Sequence, residues 1–150
     1  MITSFNHSGF VVADMEREVE FYCSVLGLQV IRETDAGPDE SKHTGLSNAN
    51  RKLVFLGKPG QPHALELVHF MGLTNKDIHG SNTSIGAAHV CFNVEGLDKC
   101  YAEWVKNGME FLTPLVERVG PDGNVGWICY GKDPEGNWLE FIDSGTNKQP

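Results

Sequence analysis

A chain of 150 residues with 40% hydrophobic and 21% charged residues has the size and balance of an ordinary globular protein, able to bury ~68–70% of its unfolded surface. Twenty acidic against twelve basic side chains leave a formal net charge of −8, which argues against binding a nucleic-acid backbone, and no Lys/Arg cluster offsets it. No apolar run approaches the ~18 residues of a membrane span, and MITSFNHS is not a basic and apolar leader, so a cytoplasmic protein without a membrane partner is expected.

In chain order, Ser4 to Val12 alternates and reads as a strand. Asp14 is an N-cap, Met15, Val19, Tyr22 and Leu26 fall on one helical stripe, and Gly27 is the stop. Strands are expected at Leu28 to Glu33, Lys52 to Leu56 and Ala64 to Phe70. The polar segment TDAGPDESKHTGLSNAN, between the first two, reads as a long loop of functional or mobile type. Residues 71–85 read as a linker between two modules, about 1–70 and 86–145, of a single domain.

The second module repeats the order. A strand is expected from Gly86 to Val94, and a helix from Leu97 to Asn107 with Leu97, Cys100, Trp104 and Val105 on its apolar side and Gly108 as its stop. Strands at Glu110 to Leu115, Gly126 to Tyr130 and Trp138 to Asp143 follow, the last entered through a DPEGN turn. Two βαβββ modules predict an α+β fold in which paired curved sheets form a cleft. Cys23, Cys91, Cys100 and Cys129 form no CxxC pair and lie on segments that read as buried, so reduced structural thiols are expected. Phe21, Trp104 and Phe111 suggest apolar surface that a homodimer would cover.

The repeat carries a chemical pattern. His7 and His89 each open a module, and Glu66 and Glu140 sit in the strands that close them, HALELVHF and GNWLEFID. Strand alternation sets Glu66 against Leu65 and Leu67, and Glu140 against Leu139 and Phe141, so each carboxylate points away from the helix-covered face. His7 and His89 oppose Phe10 and the pair Val90 and Phe92 in the same way. A carboxylate inside an apolar strand is costly unless it is paired or ligates a cation. Two imidazoles and two carboxylates suit one divalent metal, Ni, Co, Zn, Mn or Fe.

From Phe5 to Asp143 the chain resembles the vicinal oxygen chelate superfamily of glyoxalase I, extradiol dioxygenases, methylmalonyl-CoA epimerase and bleomycin-resistance proteins. The residues that carry the resemblance are His7 with FYCSVLGL, the ELV strand, His89 and DPEGNWLEF. It implies a metal that chelates two neighbouring oxygens of a small-molecule substrate, with His7, Glu66, His89 and Glu140 at the four metal positions. The His, Glu, His, Glu set is similar to bacterial glyoxalase I, which implies lyase or isomerase chemistry on an enediolate-like intermediate, with Glu140 or Glu66 as the proton shuttle. The glyoxalase pattern also has an Arg four residues after the first His and an Asn four after the first Glu. Val11 and Phe70 stand there, which disfavours a glutathione conjugate.

Two other readings stay open. A ring-cleaving dioxygenase would use His7, His89 and Glu140 on iron, with Tyr130, ten residues before Glu140, as a catalytic phenol. A resistance-type protein would sequester its ligand without chemistry. Arg51 and Lys52 are candidates to meet an anion, Trp127 and Trp138 to line the pocket. His43, His63, His69 and His79 match no ligand spacing, and His69 is expected to point away from the cleft.

Overall fold

The computed structural model describes residues 1–46, 48–73, 80–120, 123–143 and 145, which divide into two compact units, Met1–Ile78 and His79–Pro150. Each unit is an open mixed sheet with few helices, the α+β class that the repeat predicts. His79 and the middle of the expected linker lie outside the described residues. No helix among the described residues is long and apolar enough to cross a membrane.

In the first unit β1 (His7–Val11) leads through Asp14, whose side chain accepts from the Arg17 amide, into α1 (Met15–Glu20). The helix continues as a π-helical turn, Phe21–Val25, and ends before Gly27 at φ 70°. The widened turn alters the stripe: Met15, Glu18, Phe21 and Tyr22 are buried, whereas Val19 and Leu26 are only partly covered. The sheet then adds β2 (Gln29–Ala36), β3 (Asn50–Gly57) and β4 (Ala64–Met71) in the order β1-β4-β3-β2, with β1 parallel to β4 and the other pairs antiparallel. Val54, Leu56, Leu65 and Leu67 are buried on one face. Ala36, Leu53, Phe55 and Val68 form an apolar cluster on the other.

The segment expected as a loop between β2 and β3 is partly ordered. β2 runs on to Ala36, and Gly37-Pro38 then starts α2 (Pro38–Ser41), with proline supplying the fixed φ of a first helical turn. A 3-10 turn, Lys42–Thr44, closes at Gly45, φ 81°. Arg51 fixes this segment to the sheet. It is 7% exposed, and it donates from Nε to Ser41 Oγ at 3.0 Å and from an Nη to the Glu40 carbonyl at 3.3 Å. Arg51 is therefore a buried tie rather than a free cation. Lys52 is held by Glu33 at 2.8 Å, which raises its pKa through that hydrogen bond and charge.

The second unit comprises β5 (His89–Asn93), α3 (Leu97–Lys106), β6 (Glu110–Phe111), β7 (Val116–Val119), β8 (Val125–Lys132) and β9 (Trp138–Asp143). The order is β5-β9-β8-β6, and β7 pairs with the other end of β8. A single strand from Glu110 to Leu115 does not form. It stops at Phe111, and pairing resumes at Val116 after Pro114, which has no N–H to give to a ladder. Leu97 and Trp104 of α3 are buried, with Cys100 half-buried, but Val105 is 48% exposed, one step outside the stripe. Trp104 packs on Phe111 and Phe141 with ring centroids 6.5 and 4.7 Å apart. Phe21 and Trp104 are thus interior residues of their own units, and Phe111 is half-buried among aromatic rings, so they do not supply the exposed apolar surface anticipated for a dimer. The DPEGN turn is organised by buried Asp133, which accepts from the Glu135 and Asn137 amides at 3.1 and 2.8 Å.

Candidate functional site

The strand registers place each imidazole beside a carboxylate. In the first unit His7 pairs with Ala64 and Gly9 with Glu66, and in the second His89 pairs with Trp138 and Cys91 with Glu140. In both sheets the His precedes by two positions the residue that faces the Glu. With a side-chain period of two, His and Glu share one face and become diagonal neighbours. The contacts follow: His7 Nε2 lies 3.1 Å from Glu66 Oε2, and His89 Nε2 lies 3.0 Å from Glu140 Oε2. Both carboxylate side chains are 14% exposed, and their imidazoles are more open at 37% and 44%.

The surroundings of the pairs differ. Asn6 Oδ1 lies 2.7 Å from His7 Nδ1, so both ring nitrogens of His7 face oxygen acceptors. A neutral imidazole has one proton to give. Whichever nitrogen carries that proton, Asn6 and Glu66 hold the ring in one orientation, and a metal-binding His is oriented in the same way through its other nitrogen. Next to Glu66 is Gly9, where a Cβ would come to 3.4 Å from Glu66 Oε2. In the second unit that place belongs to Cys91, an exposed thiol pushed up to about 11 by burial of its sulfur and by the Glu140 charge. The Tyr130 hydroxyl is 3.3 Å from His89 Nε2, its ring meets the imidazole edge-on at 5.2 Å, and partial burial followed by the Glu140 charge raises its pKa.

Each pair by itself offers one nitrogen and one oxygen donor, the types that borderline divalent ions accept. In neither unit do the described residues gather three or more His, Cys, Asp or Glu around one point. The fit to a metal therefore rests on the two pairs and on the excess of acceptors around His7.

The remaining sequence candidates sort by sheet face. Trp138 shares the face of His89, with the Lys132 ammonium 4.5 Å from its ring, whereas Trp127 pairs with Asp143 on the helix side. His69 points away from Glu66, as expected, its Nδ1 lying 3.0 Å from the Val12 carbonyl. His63 lies beside Ser8 Oγ at 3.1 Å, and His43 is in the 3-10 turn. Val11 and Phe70 are on the Glu66 face, Val11 being 57% exposed. A groove of about 910 Å³ lined by Gly96, Cys100, Trp127 and Asp143 opens at the start of α3, away from the His89 face. Asp143 already accepts from the Gly96 and Leu97 amides there at 3.1 and 3.0 Å, so the helix terminus has its anion.

Three side chains near the pairs escaped the sequence reading. Cys91 was within reach of it, because two positions after His89 is the same strand face. Asn6, next to His7, leaves no periodic signal. Arg32 is set by an irregularity of β2: the register shifts between Val30 and Arg32, so Arg32 stands opposite Phe55 in place of Ile31.

An open α+β sheet with a parallel first and last strand, repeated twice and carrying a His–Glu pair at the same register each time, defines a class of proteins. Residues 4–141 match the family model of the Glyoxalase/Bleomycin resistance protein/Dioxygenase superfamily, and the chain belongs to that superfamily. Among its relatives, lactoylglutathione lyase of Haemophilus influenzae is 31% identical, over 95% of this chain and 93% of that protein. Lactoylglutathione lyase of Pseudomonas aeruginosa is 26% identical over 95% and 84%. The chain spans about half the length of the relative from Schizosaccharomyces pombe, at 48%. Among solved structures, a glyoxalase family protein from Bacillus cereus superposes with a TM-score of 0.81 over 97% of both chains at 20% identity. The trypanothione-dependent glyoxalase I of Leishmania major gives 0.69 over 95% and 88% at 23%.

Proposed function

We propose that the chain is a single glyoxalase-like domain of two modules acting as a metal-dependent lyase or isomerase, which moves a proton between adjacent carbons of an α-hydroxycarbonyl or hemithioacetal substrate. The observation that carries this reading is the same-register His–Glu pair in both sheets, each with a largely covered carboxylate on an imidazole Nε2. His7, Glu66, His89 and Glu140 would hold one divalent ion, Ni, Co, Zn, Mn or Fe, and the ion would supply Lewis-acid polarisation of two vicinal oxygens. Glu140 or Glu66 takes the proton from the carbon beside the carbonyl and returns it to the neighbouring carbon. The Tyr130 hydroxyl, 3.3 Å from His89 Nε2, would donate to a substrate oxygen. Val11 and Phe70 supply no donor at the two positions where the glyoxalase pattern has Arg and Asn, so glutathione is disfavoured as the thiol carrier, although relatives bear the name lactoylglutathione lyase.

Cysteines that are all free suit a reducing cytoplasm. A homodimer is also proposed; light scattering that gives a monomer mass at micromolar concentration would refute it.

Elemental analysis of the purified protein and its Glu66→Ala and Glu140→Ala variants tests the metal assignment, with loss of bound metal and retention of circular dichroism expected in both. Undiminished stoichiometric metal in both variants overturns it. Tyr130 at 3.3 Å from His89 also favours a second reading, an iron-dependent ring-cleaving dioxygenase using His7, His89 and Glu140. Glu66 as a fourth protein ligand would compete with a catecholate and dioxygen for places on the ion, which favours the first reading. Oxygen uptake with catechols and a ring-fission chromophore would reverse this ranking.

A further inference from the structure

We propose that Arg32 is an anion-binding residue of the Glu66 face, and that the substrate therefore carries a carboxylate in addition to its vicinal oxygens. This rests on the lyase or isomerase reading above for the vicinal oxygens and goes beyond it in naming the charge. The register runs in one row across all four strands: Gly9 opposite Glu66, Glu66 opposite Phe55, Phe55 opposite Arg32. The contacts run the same way. The Arg32 guanidinium lies over the Phe55 ring, 4.0 Å from its centroid, and the same ring meets His7 edge-on, with centroids 5.7 Å apart and planes at 85°. One phenyl ring thus separates a guanidinium from the imidazole that touches Glu66.

Arg32 is exposed, and two features turn it toward the Glu66 face as a binding group. The register shift in β2 is what brings it to this face, because an unbroken ladder would set Ile31 opposite Phe55. Its charge is also uncommitted. Arg51 is spent on Ser41 and Glu40, Lys52 on Glu33, Lys42 on Asp39 and Lys58 on the Gly27 carbonyl. Among the described residues Arg32 makes no salt bridge and no side-chain hydrogen bond, in a protein of net charge −8. The ring attracts the guanidinium and leaves it N–H donors, and an arginine fork pairs with a carboxylate in bidentate fashion. Beside it the apolar wall of Leu53, Phe55 and Val68 suits the carbon skeleton between that carboxylate and the vicinal oxygens. The corresponding row of the second unit ends in Leu112, whose amide donates to the Tyr130 carbonyl, so that unit offers no equivalent cation in the row.

The test uses three matched ligands, 2-hydroxyacetophenone, its 4-carboxylate and its 4-phosphate, titrated calorimetrically into the full chain with and without Zn or Ni. The wild type should bind the carboxylate at least tenfold more tightly than the neutral parent. In Arg32→Gln that ratio should collapse toward one, and Arg32→Lys should keep a fraction of it. A carboxylate preference that survives Arg32→Gln, or no preference in the wild type, overturns the proposal, and a phosphate bound more tightly than the carboxylate overturns the choice of anion. Because binding is read apart from turnover, an Arg32-dependent preference without isomerisation of any probe would reject the enzymatic reading alone.

Discussion

The two sheets run the same four-residue row with different chemistry: Gly9, Glu66, Phe55 and Arg32 in one, Cys91, Glu140, Tyr130 and Leu112 in the other. The rows share the Glu, and each Glu meets a His with a geometry that agrees to 0.1 Å in Nε2 to Oε2 distance, 3.1 against 3.0 Å. Around that pair, one row gives Glu66 an empty neighbour, a phenyl ring and a cation, and the other gives Glu140 a thiol, a phenol and an aliphatic chain. A duplicated scaffold keeps what both halves must supply and diversifies what only one needs. The metal-type donors are the common part, and hydrogen-bonding groups and charge are the divided part.

The largest expected effect breaks the symmetry of the carboxylates. Glu66→Gln and Glu140→Gln keep size and remove the base, so the residue that shuttles the proton should lose about 10²–10⁴ in kcat while the other loses chiefly metal affinity. Saturating metal in the assay separates the two. Equal losses in kcat at saturating metal would mean that the units do not divide the labour.

Packing behind the rows gives the next effect. Leu56, fully buried, follows Phe55 on the helix side of β3, and Gly131 follows Tyr130 at the same place in β8, where Met109 and Phe111 fill the volume instead. Leu56→Ala should cost about 2–5 kcal/mol through its cavity. Gly131→Ala should cost about 1–3 kcal/mol by overpacking, since its Cβ would stand 2.7 Å from Met109 Cε and 3.0 Å from the Glu110 carbonyl. Urea titration checks both, and a neutral Gly131→Ala would show that Met109 yields freely.

Tyr130→Phe makes the second row resemble the first, and a loss of about tenfold in kcat is expected if the hydroxyl donates to substrate. The raised pKa of Tyr130 keeps that hydroxyl protonated through neutral and mildly alkaline pH, so it should contribute no ionisation to the pH profile in that range. An alkaline step that Tyr130→Phe removes would contradict this.

The smallest effect concerns Cys91. Its thiol titrates near 11, raised by burial and then by Glu140, so in metal-free protein alkylation by iodoacetamide should still be climbing about tenfold per pH unit between pH 7 and 9. Removing the neighbouring charge with Glu140→Gln lowers the Cys91 pKa and should speed alkylation at pH 8. A rate that levels off below pH 9 in the unmodified protein would show that burial and Glu140 do not together raise the thiol.

Much of this was readable from residue order. Alternation about Glu66 and Glu140 fixes which face each carboxylate takes, because the strand period of two admits only two answers, and the apolar neighbours Leu65, Leu67, Leu139 and Phe141 claim the helix side. The caps Asp14, Gly27 and Gly108 likewise act through local backbone geometry, which a short window of sequence contains. Other features depend on residues distant in the chain. The helix within 34–50 is tied to the sheet by Arg51, which reaches back to it from β3, and β8 takes β6 at one end and β7 at the other. The place of Arg32 depends on a one-residue register shift against β3. Periodicity names a face only while the ladder is regular, so the sequence determined the face that each His and Glu takes, and the tertiary structure alone decided that they touch in two pairs, with a cation beside one and a thiol and a phenol beside the other.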